Sequence, residues 1–344
     1  MRVPPVWVRR VVGPVVVFGL WLLLFVGLPL LMIVALVASH WLPGRWRGLR
    51  LLGFALVGLT VEGALLAAAF ALWVASGFGW KLHDDTFARA HYAVLRVGLH
   101  VLVASARQLF RLELETDGVS WSPLDDGVPG STNAMVVLCR HAGPGDSLLL
   151  MNTLMDRDHR RRPRTVLKDT MQLDPITDVY LHRIPARFVN PNPASGHDVA
   201  AQIAEMSTGM GPDDALLIFP EGGNFTEGRR AKAIAKLRAR GHEEHAAEAE
   251  LMRNVLPPRP GGVAAALEGA PHADVVFVAH TGLEHLSTPR DIWRGIPDHK
   301  TLHLRWWFVP AADVPRDRDA QVDWLFERWA EIDEWIGETN AAEA

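Results

Sequence analysis

The chain has 344 residues, with 35 Lys and Arg against 39 Asp and Glu, a formal net charge of -4 and one cysteine, Cys139. That near-neutral balance excludes a dedicated nucleic-acid binder, which carries a strongly basic domain. A single cysteine excludes an internal disulfide framework.

Apolar residues make up 49% of the chain, so membrane residence is the first question in chain order. Residues 11–39 contain no charged side chain, and residues 51–80 contain only Glu62. A bilayer span needs about 20 apolar residues, so both runs are long enough, with Pro14 and Pro29 available for a kink. A membrane span rather than a cleaved signal peptide is expected, because the apolar region of a signal peptide is only about 7–15 residues. Trp7, Trp41, Trp46 and Trp80 fall at the run ends, where interfacial tryptophans belong. Arginines precede, separate and follow the two runs, so the positive-inside count gives no asymmetry. The expected topology is a hairpin with both ends in the cytoplasm; a shallow re-entrant pair is the alternative. Glu62 sits mid-run, where a charge costs roughly 2.5–3.5 kcal/mol.

The spacing predicts a helix over 86–111. Arg89, Arg96, His100, Arg107 and Arg111 fall on one narrow face of it, with apolar residues over most of the rest. Such a helix suits an anionic membrane surface; an ordinary solvated face is the plainer reading. Residues 117–133, rich in Gly, Pro, Ser and Asp, read as a loop. Strands are then expected at 134–139, 164–168, 187–190, 214–220, 273–280 and 300–309. Helices are expected at 147–158, 197–207, 228–254 and 322–336. Alternation of this kind predicts an α/β domain with a mostly parallel sheet flanked by helices. His242 and His245 lie on the charged 228–254 stretch without a third ligand nearby, and read as a solvated face.

The strand over 134–139 ends in Arg140-His141-Ala142-Gly143-Pro144-Gly145-Asp146-Ser147. A neutral imidazole is available near pH 7 to take a proton from a hydroxyl, and it needs a partner on its other nitrogen to fix tautomer and direction. On a continuous helix, positions five apart sit about 140° apart and would not meet. The Gly-Pro-Gly turn lets Asp146 fold back towards His141. Three readings compete at this point. His141 and Asp146 form a general base and its orienter; Asp146 merely caps the next helix; or Gly145-Asp146-Ser147-Leu148 carries a nucleophilic serine of the GDSL esterase kind. The last needs an Asp-x-x-His pair, and the match, Asp156 and His159, follows immediately and is poorly placed to reach back.

A second stretch, Phe219-Pro220-Glu221-Gly222, again follows an apolar strand. With His141 and Asp146 as an H-x4-D motif and F-P-E-G downstream, the chain resembles the glycerolipid acyltransferases, the family of the 1-acylglycerol-3-phosphate acyltransferases. The segment VLKDTMQLDP, with Lys168 and Pro175, resembles the family's lysine-containing block. Phe225-Thr226, the charged stretch after it and Pro257-Pro258-Arg259 resemble the membrane-bound branch. The resemblance covers about residues 130–335. It implies acyl transfer from acyl-CoA or acyl carrier protein, as a substrate and without a resident cofactor or metal, to a lysophospholipid hydroxyl. Lysophosphatidic acid to phosphatidic acid is the expected reaction. His141 would be the base, Asp146 its support, and Glu221, Gly222 and Lys168 would help hold substrate. Two departures stand out: where the family reads E-G-T-R this chain has Asn224, and where the G-x-x-F-I-x-R block has its arginine this chain has Pro191. Arg183, Arg187, Arg229 and Arg230 lie close enough in sequence to supply the missing guanidinium, and each would serve equally well as surface charge.

The resulting expectation is a membrane hairpin over 1–82, a basic interfacial helix and connector over 83–118, and an acyltransferase domain over 119–344. The protein would be integral to the membrane, its catalytic domain on the cytoplasmic face and its partners membrane lipids rather than nucleic acid. The non-enzymatic alternative is a membrane scaffold with a degenerate acyltransferase domain.

Overall fold

The structure is a computed structural model that describes residues 3–41, 46–117, 133–141, 143, 145–156, 160–190, 199–282 and 301–343. The expected loop at 117–133 lies almost wholly outside these residues, as do Pro144, His159 and Pro191. The chain forms two compact units, one from Met1–Glu113, Leu148–His197 and Pro289–Lys300, the other from Leu114–Ser147, Asp198–Thr288 and Thr301–Ala344.

In the first unit the apolar runs become α1 (Val6–Trp41) and α2 (Arg47–Ala75), followed by α3 (Asp85–Phe110). Pro14 and Pro29 both lie inside α1. All three helices are long and apolar enough to cross a membrane, one more than the two runs expected from the sequence. These helices mark the chain as membrane-associated. Leu23 and Val26 of α1 are each 71% exposed, the surface that a lipid phase would cover. The basic stripe of α3 lies opposite its buried face. Arg89, His100, Arg107 and Arg111 are exposed and Arg96 half-buried, whereas His91, Tyr92, Leu95 and Leu99 pack inward. Gly98 permits close packing of α2 and α3, because a Cβ there would lie 2.8 Å from the Leu65 side chain.

The same unit holds β3 (Arg162–Lys168), a 3-10 turn (Asp169–Leu173), α5 (Pro175–Leu181) and β4 (Ala186–Val189), with β3 and β4 parallel. α5 is too short to show an apolar period, so periodicity does not reveal it. It starts on Asp174, whose side chain accepts the Thr177 N–H at 2.7 Å, and on Pro175, a residue suited to a first helical turn. The Tyr180 hydroxyl on α5 donates to Leu65 O on α2 at 2.9 Å. Arg9 of α1 donates to Gln172 Oε1 at 2.8 Å and pairs with the buried Asp178. A polar clamp therefore ties the foot of the first apolar helix to α5.

The second unit is built on parallel strands. β2 (Met135–Cys139) lies between β5 (Asp214–Ile218) and β6 (Asp274–Thr281), parallel to both; β7 (Thr301–Val309) runs antiparallel to β6, and β1 (Glu113–Asp117) lies beyond β7. Every residue of β2, β5 and β6 is buried, the reason these strands read as unbroken apolar runs rather than alternating ones. The fold is α/β, a mostly parallel mixed sheet with flanking helices and apolar N-terminal helices. Around the strands pack α4 (Asp146–Met155, shared with the first unit), α6 (Val199–Ser207), α7 (Glu227–Ala239), α8 (Glu243–Leu251), α9 (Pro260–Gly269) and α10 (Arg318–Glu343). The helix expected over 228–254 is two helices. Gly241, at φ +81°, breaks it between α7 and α8, a conformation that glycine adopts without the Cβ penalty. α9 is an addition to the expected elements, because Pro260-Gly261-Gly262 reads as loop. On the other side, Trp329 is fully buried and Phe277 meets Trp324 edge to face at 5.1 Å, joining α10 to β6.

Candidate active site

Because β2, β5 and β6 are parallel, their carboxyl ends share one edge of the sheet, the usual place for a ligand site in an open α/β sheet. β2 delivers Arg140 and His141 there, β5 delivers Phe219 to Gly222, and β6 ends on His280 and Thr281. All belong to the second unit.

His141 Nδ1 lies 2.8 Å from Asp146 Oδ2. The turn between them works as its glycines require: Gly145 sits at φ +101°, and the Gly143 N–H donates to Asp146 Oδ2 at 3.2 Å. The other carboxylate oxygen accepts the Ser147 N–H at 2.6 Å and the Ser147 hydroxyl at 3.3 Å. Asp146 therefore begins α4 and holds the imidazole at once. Burial pushes its carboxyl up. The His141 hydrogen bond, the charges of His141 and His280, and the Gly143 N–H outweigh that and hold it below its ordinary value. With Nδ1–H donated to Asp146, His141 Nε2 is left as the acceptor. The ring is 26% exposed and packs on the Phe219 ring at 4.7 Å, so it is oriented on one side and reachable on another. Ser147 meets Asp146 rather than an imidazole among the described residues, which is not the activation a nucleophilic serine needs.

Glu221 is the second carboxylate. It is 1% exposed, and neither oxygen completes a hydrogen bond among the described residues, although the Leu256 and His141 backbone N–H groups approach. Burial pushes its carboxyl up to about 8, opposed by the Arg140 charge and those N–H groups and reinforced by Asp146. Arg140, itself 1% exposed, is held by His280 O at 2.7 Å and Asn254 O at 2.8 Å. His280 Nε2 lies 3.8 Å from Asp146 Oδ2, and so adds an imidazole to the dyad's surroundings. Arg140 and His280 are not among the candidates the motifs supply. The signal that marks them is a charged or titratable residue at the end of an apolar strand, as in VVLCRH and VVFVAH. The buried Cys139 thiol is pushed well up, first by burial and then by the two carboxylates, which leaves it protonated beside the site.

The remaining sequence candidates separate. Gly222, at φ +67°, turns the chain after Glu221, its N–H donating to Phe219 O at 3.0 Å. Arg229 lies against that turn and donates to Asn224 O at 2.9 Å. Arg230 reaches Met252 O at 2.5 Å and Glu250 O at 2.8 Å and locks the end of α8 to α7. Lys168, Arg183 and Arg187 belong to the first unit. Lys168 ends β3 in an exposed position, and Arg187 is exposed on β4. Arg183 donates to Ala69 O at 2.6 Å and lies 3.2 Å from His91 Nε2, so it packs helices together there.

A family model for acyltransferases matches residues 126–280. The matched stretch spans the His141–Asp146 turn, the F-P-E-G turn and His280. The structure is similar to the crystal structure of the 1-acyl-sn-glycerophosphate (LPA) acyltransferase PlsC from Thermotoga maritima. The two share 14% identity at a TM-score of 0.45, over 82% of this chain and 96% of that one. Among curated proteins no sequence matches this chain.

Proposed function

We propose that the chain acylates the free glycerol hydroxyl of a lysophospholipid, converting lysophosphatidic acid to phosphatidic acid at a membrane surface. The donor is an acyl thioester, acyl-CoA or acyl carrier protein, which enters as substrate; no resident cofactor takes part in this reading. The observation that carries it is the His141 Nδ1–Asp146 Oδ2 hydrogen bond at 2.8 Å within an acyltransferase-family domain. His141 Nε2 takes the hydroxyl proton as the oxygen attacks the thioester carbonyl. The tetrahedral intermediate then collapses with cleavage of the C–S bond, and the imidazolium returns its proton to the departing thiolate. Asp146 supports the transient imidazolium, and Glu221 and Gly222 help hold the acceptor. The apolar helices keep the domain where both lysolipid and product reside, and the domain faces the cytoplasm, the source of both donors.

Membranes containing the full chain, incubated with labelled lysolipids of several headgroups and acyl-CoA, test this reading. Labelled phosphatidic acid that disappears in His141→Ala is expected. Absence of acyl transfer to every lysolipid would sink it. Ester hydrolysis that depends on Ser147 would replace it with the serine esterase, and neither turnover nor thioester binding would leave a scaffold.

A further inference from the structure

The turn after Glu221 carries two guanidinium groups from outside the F-P-E-G stretch. A Cβ on Gly222 would lie 2.6 Å from Arg259 Nη1 and 2.7 Å from its Cζ, so the Arg259 guanidinium lies directly on the bare face of this glycine. A Cβ on Gly223 would lie 3.5 Å from Arg229 Nη1. Arg259 is fixed from behind, its backbone N–H donating to Pro220 O at 2.9 Å, and Arg229 by its bond to Asn224 O. Among the described residues neither guanidinium meets a carboxylate, and the nearby Glu227 pairs with Arg230 instead, at 3.8 Å. Each guanidinium offers five N–H donors, of which Arg229 uses one on Asn224 and Arg259 none among the described residues. Both side chains are exposed, so a ligand can reach them.

The turn itself is anchored at both ends to the base. Phe219 packs on the His141 ring, and the Phe225 N–H donates to His141 O at 3.2 Å. Gly222 is three residues from either anchor, no more than about 11 Å of extended chain. Two positive charges are thus held within a short span of the imidazole, next to a buried carboxyl that stays protonated up to about 8 and does not neutralise them. Guanidinium forks match the oxygens of a phosphate monoester better than any neutral headgroup.

We propose that Arg259 and Arg229 form the subsite that binds the phosphate monoester of the acceptor. Arg259 supplies from the start of α9 the charge that Asn224 cannot. This rests on the acyl-transfer reading above. A lysophospholipid phosphate and the phosphates of acyl-CoA share this chemistry, and the subsite is assigned to the acceptor because it adjoins Glu221 and the base.

The test uses the full chain in detergent or proteoliposomes, with Arg259→Ala, Arg259→Lys, Arg229→Ala and the double alanine variant. Lysophosphatidic acid and acyl-CoA are varied separately, and sn-glycerol 3-phosphate binding is measured by calorimetry. The acceptor KM is expected to rise about ten-fold or more in Arg259→Ala and further in the double variant, with the acyl-CoA KM within about two-fold of the parent. Arg259→Lys should fall between, since an ammonium keeps charge but loses the fork. It also decides the matter if the alanine variant melts early. Glycerol 3-phosphate binding should weaken in step. Unchanged acceptor KM in every variant overturns the subsite while leaving the acyltransferase reading in place, and so does a rise confined to acyl-CoA. A parent that acylates no lysolipid, yet binds glycerol 3-phosphate through Arg259, fails the acyltransferase reading and keeps the subsite. A parent without that binding overturns it.

Discussion

The turn after β2 and the turn after β5 lie at the ends of adjacent parallel strands, and each holds a buried carboxylate, yet the two are opposites. Asp146 receives a hydrogen bond from His141 and others from Gly143 and Ser147, and its acidity is strengthened. Glu221 receives none among the described residues, and burial raises it to about 8. Neutral pH therefore leaves Asp146 charged and Glu221 neutral. Partners rather than residue type set the charge of a buried acid.

The sharpest way to break this comparison is His141→Ala. Turnover is expected to fall about 10²–10⁴-fold, the contribution typical of a general base, with the fold retained by circular dichroism. A parent-like rate would remove the first turn from the chemistry.

Gly222→Ala attacks the second turn. Forcing φ +67° on a residue with a Cβ destabilises by roughly 1–2 kcal/mol, and that Cβ displaces Arg259 from 2.6 Å. Thermal denaturation should show the first effect, and a raised acceptor KM the second.

Glu221→Gln sharpens the contrast through pH. The unfolded carboxyl ionises near 4.5, whereas the native one keeps its proton to about 8. In that window the native state binds more protons, so this group makes stability fall as pH rises from about 4.5 to about 8. Melting temperature followed against pH should lose that downward component in the Gln variant. Identical slopes in parent and variant would mean that Glu221 is ionised in the fold.

Ser147→Ala is the smallest change. It removes a hydroxyl bond of 3.3 Å to Asp146, a loss of about 0.5–1.5 kcal/mol at most, and should retain most acyl transfer. Loss of activity here, with His141→Ala active, would hand the site to the serine.

Much of the fold and of the site is legible in the sequence. The apolar runs around 11–39 and 51–80, the helix near 86–111 and the strands bearing the site all form close to their expected places. The Gly-Pro-Gly interruption implies a chain that can bring Asp146 back to His141, and the two side chains meet. The elements that periodicity hides have local causes. β1 is five residues at the tail of a helix, α5 is seven residues long, α9 opens on glycines, and the charge on both sides of Gly241 masks a break.

By itself the sequence determined the periodicity and the punctuation: which segments are apolar throughout, where strands stop, and which titratable residues stand at those stops. These depend on neighbours along the chain, and neighbours along the chain are what a sequence contains. Tertiary structure alone decided which arginines face the turn and which are held elsewhere. Arg229 and Arg230 are adjacent in sequence, but one lies against the Glu221 turn while the other is locked onto carbonyls of Glu250 and Met252. Arg259, thirty-seven positions after Gly222, reaches the same turn because its backbone bonds to Pro220. The burial of Glu221, without a completed hydrogen bond among the described residues, was likewise decided in space. Whether a charge is engaged, and whether an acid keeps its proton, depends on groups brought together from distant parts of the chain.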